Sequence, residues 1–118
     1  MRTSLTIGTA GEKLACTFFK QKGFEILHTN WRHERYEVDI IASKNNVLHF
    51  IEVKTRSNKN FGLPEEGVHK KKMSNLKQAA EAFLHKNPEW KSIQFDVLSI
   101  LLLKNTIPEF YLLEDVYF

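Results

Sequence analysis

The run Glu37-Val38-Asp39-Ile40-Ile41-Ala42-Ser43-Lys44-Asn45-Asn46-Val47-Leu48-His49-Phe50-Ile51-Glu52-Val53-Lys54 decides how this chain folds. Asn45-Asn46 is a tight-turn signal between two apolar stretches, so Glu37 to Ser43 and Val47 to Thr55 read as neighbouring strands of a hairpin. Strand periodicity then sorts the side chains. Glu37 and Asp39 share one face and Val38 and Ile40 the other; Glu52 and Lys54 point one way, Ile51 and Val53 the opposite way. Asp39 and Glu52 are equally distant from the centre of the turn, so the simplest register sets them directly across from each other. Like charges so placed are unfavourable, by roughly 4 kcal/mol at about 4 Å and an effective dielectric of 20. A shared proton, Lys54 or a bound divalent cation would compensate, and an all-oxygen site suits a hard cation such as Mg²⁺. Glu12 is a further candidate, at the edge of a helical apolar stripe one turn before Ala15 and Cys16. The competing reading makes Glu37, Asp39, Glu52 and Lys54 a solvated, ion-paired strand face. Against it, the strand Val47 to Ile51 is otherwise apolar, its charges come at one end, and Arg56 and a basic helix follow at once.

Outward from this hairpin the elements alternate in a recognisable order. Leu14, Ala15, Phe18 and Phe19 keep helical spacing within a helix from about Thr9 to Lys22, which Gly23 stops. Phe24 to His28 reads as a short strand ended by Thr29-Asn30, which makes the first three strands an antiparallel meander. Arg56 to Pro64 reads as a loop, and Met73, Leu76, Ala79, Ala80, Phe83 and Leu84 hold register in a helix from about Glu65 to His85, closed by Asn87-Pro88. Ile93 to Leu103 is nearly all apolar, as expected of a strand buried on both faces and parallel to a neighbour. Phe110 to Leu113 ends the set. The expectation is an α/β domain spanning residues 1–118, a mixed sheet flanked by helices in the order α-β-β-β-α-β-β.

Composition permits this and excludes much else. With 118 residues, 42% apolar and 26% charged, the chain can bury a core without disulfides, metals or repeats. One cysteine, Cys16, rules out an internal disulfide and a four-cysteine zinc site, and reads as core. No apolar run approaches a membrane span, and Met1 to Ala10 lacks the apolar core of a secretory signal, so a cytoplasmic location without membrane partners is expected. The five histidines show no metal-ligand spacing, and Gly62 and Gly67 form no phosphate loop. Trp31 reads as a rim-packing aromatic, and Asp96 as a strand residue with a structural partner. The net charge of +3 divides unevenly: +1 over residues 1–52, +5 over 53–91 and −3 over 92–118. A basic middle segment beginning beside the paired acids points to a polyanionic partner.

Several segments together match one family. Gly11-Glu12 with Ala15, Gly23-Phe24, Asn30, Glu37-Val38-Asp39-Ile40-Ile41-Ala42, Phe50 to Arg56, Phe61-Gly62, Lys72 with Leu76 and Ala80, and Phe95-Asp96-Val97 resemble the YraN-like family of predicted bacterial endonucleases. That family is similar to archaeal Holliday-junction resolvases and belongs to the restriction-endonuclease-like, PD-(D/E)xK superfamily. The resemblance runs from about Gly8 to Val97; Tyr36 stands where the family usually has glycine, and no proline precedes Asp39. It implies a restriction-endonuclease-like fold and a DNA endonuclease, with branched or otherwise structured DNA among the candidate substrates. By position, Asp39 and Glu52 would hold Mg²⁺ or Mn²⁺ with the Val53 carbonyl, and Glu12 would be a further acid. Glu37 is a secondary acid beside them. Lys54 would orient the attacking water and stabilise transition-state charge, and Arg56, Lys72 and then Lys71 would meet phosphates. Branched substrates with two scissile strands favour a homodimer. A non-catalytic nucleic-acid-binding module on the same fold is the alternative, and an ion-paired structural protein ranks third.

Overall fold

The computed structural model describes residues 4–57 and 70–116, with side chains described for 10–57 and 74–116. Its elements are α1 (Ser4–Gln21), β1 (Glu25–His33), β2 (Tyr36–Lys44), β3 (Val47–Arg56), α2 (Lys70–Lys86), β4 (Ile93–Leu101) and β5 (Glu109–Leu113). The α/β order is the one the periodicities predict. The five strands form one mixed sheet in sequential order β1-β2-β3-β4-β5. β1, β2 and β3 are an antiparallel meander, β3 and β4 are parallel, and β5 returns antiparallel to β4. Among the described residues the parallel pair, β3 and β4, is the one whose connection carries α2, since parallel neighbours need a long crossover. Most of the predicted Arg56 to Pro64 loop and the Glu65 start of the second helix lie outside the described residues.

The helices pack on opposite faces. Ala15 and Phe19 of α1 close over Ile40, Ala42, Ile51, Leu98 and Ile100. Leu76, Ala79, Ala80 and Phe83 of α2 close over Val38, Ile41, Leu48 and Phe50. Burying each large side chain such as Phe19 or Phe50 contributes about 1.5–3 kcal/mol. The end of α1 is built as its sequence requires. Gly23, at φ 91°, lets the Phe24 amide reach the Phe19 carbonyl and its own amide reach that of Lys20, both at 3.0 Å, while the Phe19 and Phe24 rings meet edge to face at 5.0 Å. This left-handed cap with its apolar clasp needs a residue without a Cβ penalty.

Two details of the meander differ from expectation. β1 does not stop at Thr29-Asn30 but runs on to His33, and the turn is Glu34-Arg35. Asn30 takes φ 51° inside the strand, a conformation asparagine tolerates better than most residues. Second, Val38 and Ile40 do not share a face: Val38 belongs to the cluster under α2 and Ile40 to the one under α1. The alternation breaks at Asp39, opposite Asn30, where the β1–β2 register passes from Thr29↔Ile40 to Trp31↔Val38. A separate bulge lies between Ile26 and His28, so that Leu27 and His28 both reach the α2 side.

Candidate functional site

Asn45 and Asn46, at φ 53° and 65°, make the β2–β3 turn. The ladder they set runs from Lys44↔Val47 to Ile40↔Ile51, the register that carries Asp39 toward Glu52. There the backbone pairing ends. The next link is a side chain: the Val53 amide donates to Asp39 Oδ2 at 2.7 Å. Asp39 thus caps the ladder at the fork where β2 leaves β3, one residue from Glu52. An ionised carboxylate accepting a backbone amide makes a short, charge-assisted bond.

Glu52 is only 6% exposed. A carboxyl this buried is costly without compensation, and Glu52, Asp39, Lys54 and Arg56 all have interaction partners in the structure. Lys54 and Arg56 are half-buried. Their face follows from Gly11 and Thr55. Gly11 of α1 lies so close to Thr55 that a methyl group there would overlap the Thr55 hydroxyl, which fixes Thr55 on the α1 side. Val53, packed with the α1 cluster, shares that side, so Glu52, Lys54 and Arg56 alternate onto the other.

Glu12 is drawn elsewhere. Its Oε2 accepts from Asn30 Nδ2 at 3.2 Å, and among the described residues no three His, Cys, Asp or Glu side chains gather as a metal-holding group. Glu12 therefore does not complete a three-acid cluster with Asp39 and Glu52 in this arrangement; it is tied to the residue across β1 from Asp39. Glu37 is also engaged, by Arg32 across the strands at 3.0 Å. Lys71 and Lys72 fall in the first turn of α2, and their side chains lie outside the described residues.

A second polar centre had no local signal in the sequence. His49 Nδ1 and Asp96 Oδ2 are 2.6 Å apart, with both residues buried. Asp96 Oδ1 also accepts from Gln94 Nε2 at 2.9 Å and from the Asp115 amide at 3.0 Å. Asp96 has the structural partner expected of it. The pair latches β3, β4 and the segment after β5 together and leaves no buried side-chain polar atom unsatisfied among the described residues. Cys16 packs beside the α1 cluster, and burial raises its thiol pKa, with Lys20 opposing and Glu12 reinforcing the shift. That environment disfavours a thiolate nucleophile.

No helix among the described residues is long and apolar enough to cross a membrane. Comparison with known sequences adds the family. A family model described as "Uncharacterised protein family UPF0102" matches residues 11–100, the span that holds Glu12, Asp39, Glu52, Lys54 and Asp96. A UPF0102 protein of Dictyoglomus thermophilum is 45% identical over 100 residues, covering 84% of this chain and 85% of that one. One from Chloroherpeton thalassium is 41% identical over 103 residues, with 86% and 80% covered. One from Caldicellulosiruptor bescii is 40% identical over 114 residues, with 94% and 96% covered. With matches of this length and identity over the sheet and both helices, the chain belongs to the UPF0102, YraN-like family.

Proposed function

We propose that this protein is a metal-dependent DNA endonuclease with a restriction-endonuclease-like fold. The observation that carries the reading is the fork at the end of β2 and β3, where the Val53 amide meets Asp39 Oδ2 beside buried Glu52 and Lys54 lies two residues on along the same strand face. The donor set fits a hard divalent cation. Asp39 Oδ1, the Glu52 carboxylate and the Val53 carbonyl are all oxygen, and Mg²⁺ commonly takes one or two carboxylates and keeps several waters. When bound there, the cation would lower the pKa of a coordinated water and screen the scissile phosphate.

The chain's own residues do the rest. The Val53 amide fixes the Asp39 carboxylate at the fork through Oδ2. Lys54 would supply a positive charge where negative charge develops on the phosphoryl oxygens, an electrostatic role and not that of a base. Arg56 meets the neighbouring phosphate as a bidentate donor. The basic character of residues 53–91 supports a polyanionic substrate.

A second reading rests on Glu12. With its carboxylate on Asn30 and no three-acid group among the described residues, the fold also suits a module that binds DNA without cutting it. One experiment separates the two. The purified protein is incubated with labelled linear, flap and four-way DNA in Mg²⁺ or Mn²⁺, alongside Glu52→Gln and Lys54→Ala variants whose folding is checked by circular dichroism. Cleavage lost in both variants supports the nuclease; cleavage surviving both refutes it. Salt-sensitive binding without cleavage under any condition leaves the binding module.

A further inference from the structure

The carboxyl ends of the parallel pair β3 and β4 open onto a crevice of about 700 Å³, on the side where α1 lies. Its floor is Leu14 of α1 with Leu102 and Leu103 from the β4–β5 connection; Ser57, just past Arg56, borders it, and Lys13 and Lys104 stand at its rim. The walls are ordered. The Leu102 amide donates to the Arg56 carbonyl at 2.7 Å, and the Thr106 hydroxyl donates to the Leu103 carbonyl at 2.9 Å, which sets the turn carrying Lys104. Among the described residues no carboxylate lines the crevice. Lys13 and Lys104 are exposed and neither forms an ion pair among the described residues.

Two cations with an apolar floor between them fit an anion that also carries flat apolar faces. Lys54 and Arg56 stand on the other face of this same end of the sheet, so cations flank the strand ends on both sides. We propose that the crevice binds unpaired bases of a single-stranded nucleic-acid segment, with Lys13 and Lys104 on its phosphates, as the continuation of the path that begins at Lys54 and Arg56. This rests on the nucleic-acid reading above and narrows it to substrates that present an unpaired segment. A blunt duplex offers the lysines its phosphates but keeps its base faces stacked, so the leucines gain nothing from it. An unpaired base buries a face against them. The position also agrees with the general placement of ligands outside the carboxyl ends of parallel strands.

The test is fluorescence anisotropy in EDTA with three labelled probes: a 12-mer oligothymidylate, its abasic counterpart and a blunt 12-base-pair duplex. The oligothymidylate should bind more tightly than the abasic strand, and Leu103→Ser should erase that preference while leaving duplex binding unchanged. Lys13→Ala/Lys104→Ala should make the log–log salt slope for the single strand shallower by about 1.4, at about 0.7 for each phosphate no longer neutralised. Both positions are on the surface, and unchanged melting temperatures will establish that the variants fold. Equal binding of the abasic strand, or an unchanged slope in the double variant, overturns the proposal. Cleavage of a flap DNA, which presents an unpaired segment, is scored separately in Mg²⁺ with Lys54→Ala. If it is lost there while the crevice variants behave as wild type, the nuclease stands and the crevice does not. If the crevice variants respond but no DNA is ever cut, the single-strand site stands and the nuclease falls.

Discussion

Substituting Gly11 by alanine sets two effects against each other, and the structure decides the sign. In the open middle of a helix, Gly→Ala stabilises by about 1 kcal/mol through backbone entropy. Gly11, however, is buried against β3, and a Cβ there would overlap Thr55 Oγ1 and sit 3.1 Å from both Thr55 Cβ and Cγ2. Turning the threonine removes the closest clash but leaves its Cβ too near. α1 cannot simply back away, because Ala15 and Phe19, one and two turns on, are fully buried in the cluster below. Overpacking of this kind typically costs about 1–3 kcal/mol. Because the Cβ would overlap Thr55 Oγ1 outright, the clash belongs in the upper part of that range, about 2–3 kcal/mol, and net of the propensity gain of about 1 kcal/mol leaves Gly11→Ala destabilised by about 1–2 kcal/mol, read as a fall of roughly 4–8 °C in melting temperature. Urea unfolding followed by circular dichroism measures it. A double-mutant cycle identifies the cause: in a Thr55→Ala background, which loses Oγ1 and Cγ2, the alanine at 11 should cost at least about 1 kcal/mol less. Gly11→Ala at wild-type stability or above, or an identical cost with and without the Thr55 side chain, would refute the close approach of α1 to β3.

Other consequences are open to simple measurement. Asp96→Ala leaves buried His49 without its hydrogen-bond partner and should cost at least about 1–3 kcal/mol, the penalty for an unsatisfied buried polar group; hydrogen exchange at the Asp115 amide, which donates to Asp96, should speed up in the same variant. Because burial raises the Cys16 thiol pKa, the thiolate fraction at a given pH is lower than that of a free cysteine, so a disulfide reagent at pH 8 should label the folded protein slowly and the urea-unfolded protein at the free-thiol rate; equal rates would mean Cys16 is not so placed. Asn30→Gly should preserve the left-handed backbone of β1 and Asn30→Val should lose about 1–2 kcal/mol more, with melting temperatures as the readout. Glu37→Ala, which removes only the surface pair with Arg32, should shift stability by less than about 1 kcal/mol.

The parts of the fold legible in the sequence are those whose cause is local. Helical spacing from Leu14 to Phe19, the glycine at 23 and the paired asparagines at 45 and 46 each act over a few residues, and each produced the element expected. The hairpin centre even fixed the β2–β3 register, because a two-residue turn leaves little freedom in how its strands align. The departures also have a local cause. Glu34-Arg35 is a turn with neither glycine nor proline, and Glu34 takes φ 56° with no residue preference announcing it. Thr29-Asn30 reads as the end of β1, but Asn30 takes its left-handed φ of 51° inside the strand, which runs on to His33.

The candidate site divides along the same line. That Asp39 approaches Glu52 follows from turn geometry, and so was readable. That Asp39 takes the Val53 amide was not, because it depends on the β2–β3 ladder ending at Ile40↔Ile51, and no turn or periodicity signal marks where a ladder stops. The His49–Asp96 pair spans 47 positions, and only the parallel β3–β4 register brings it together. It also changes the meaning of the charge pattern. One of the acids in the −3 segment is this buried Asp96, which accepts from Gln94 and the Asp115 amide and pairs with His49, so its place in the sequence marks a structural latch and not a surface acid. Glu109, at the start of β5, is occupied by the Tyr111 hydroxyl at 2.8 Å. Lys54 and Arg56 on one face, and Lys13 and Lys104 on the other, flank the carboxyl ends of β3 and β4. On the proposed nuclease reading, it is this placement of cations at one end of the sheet, more than the charge of any segment of sequence, that would bring a phosphate to the fork between β2 and β3.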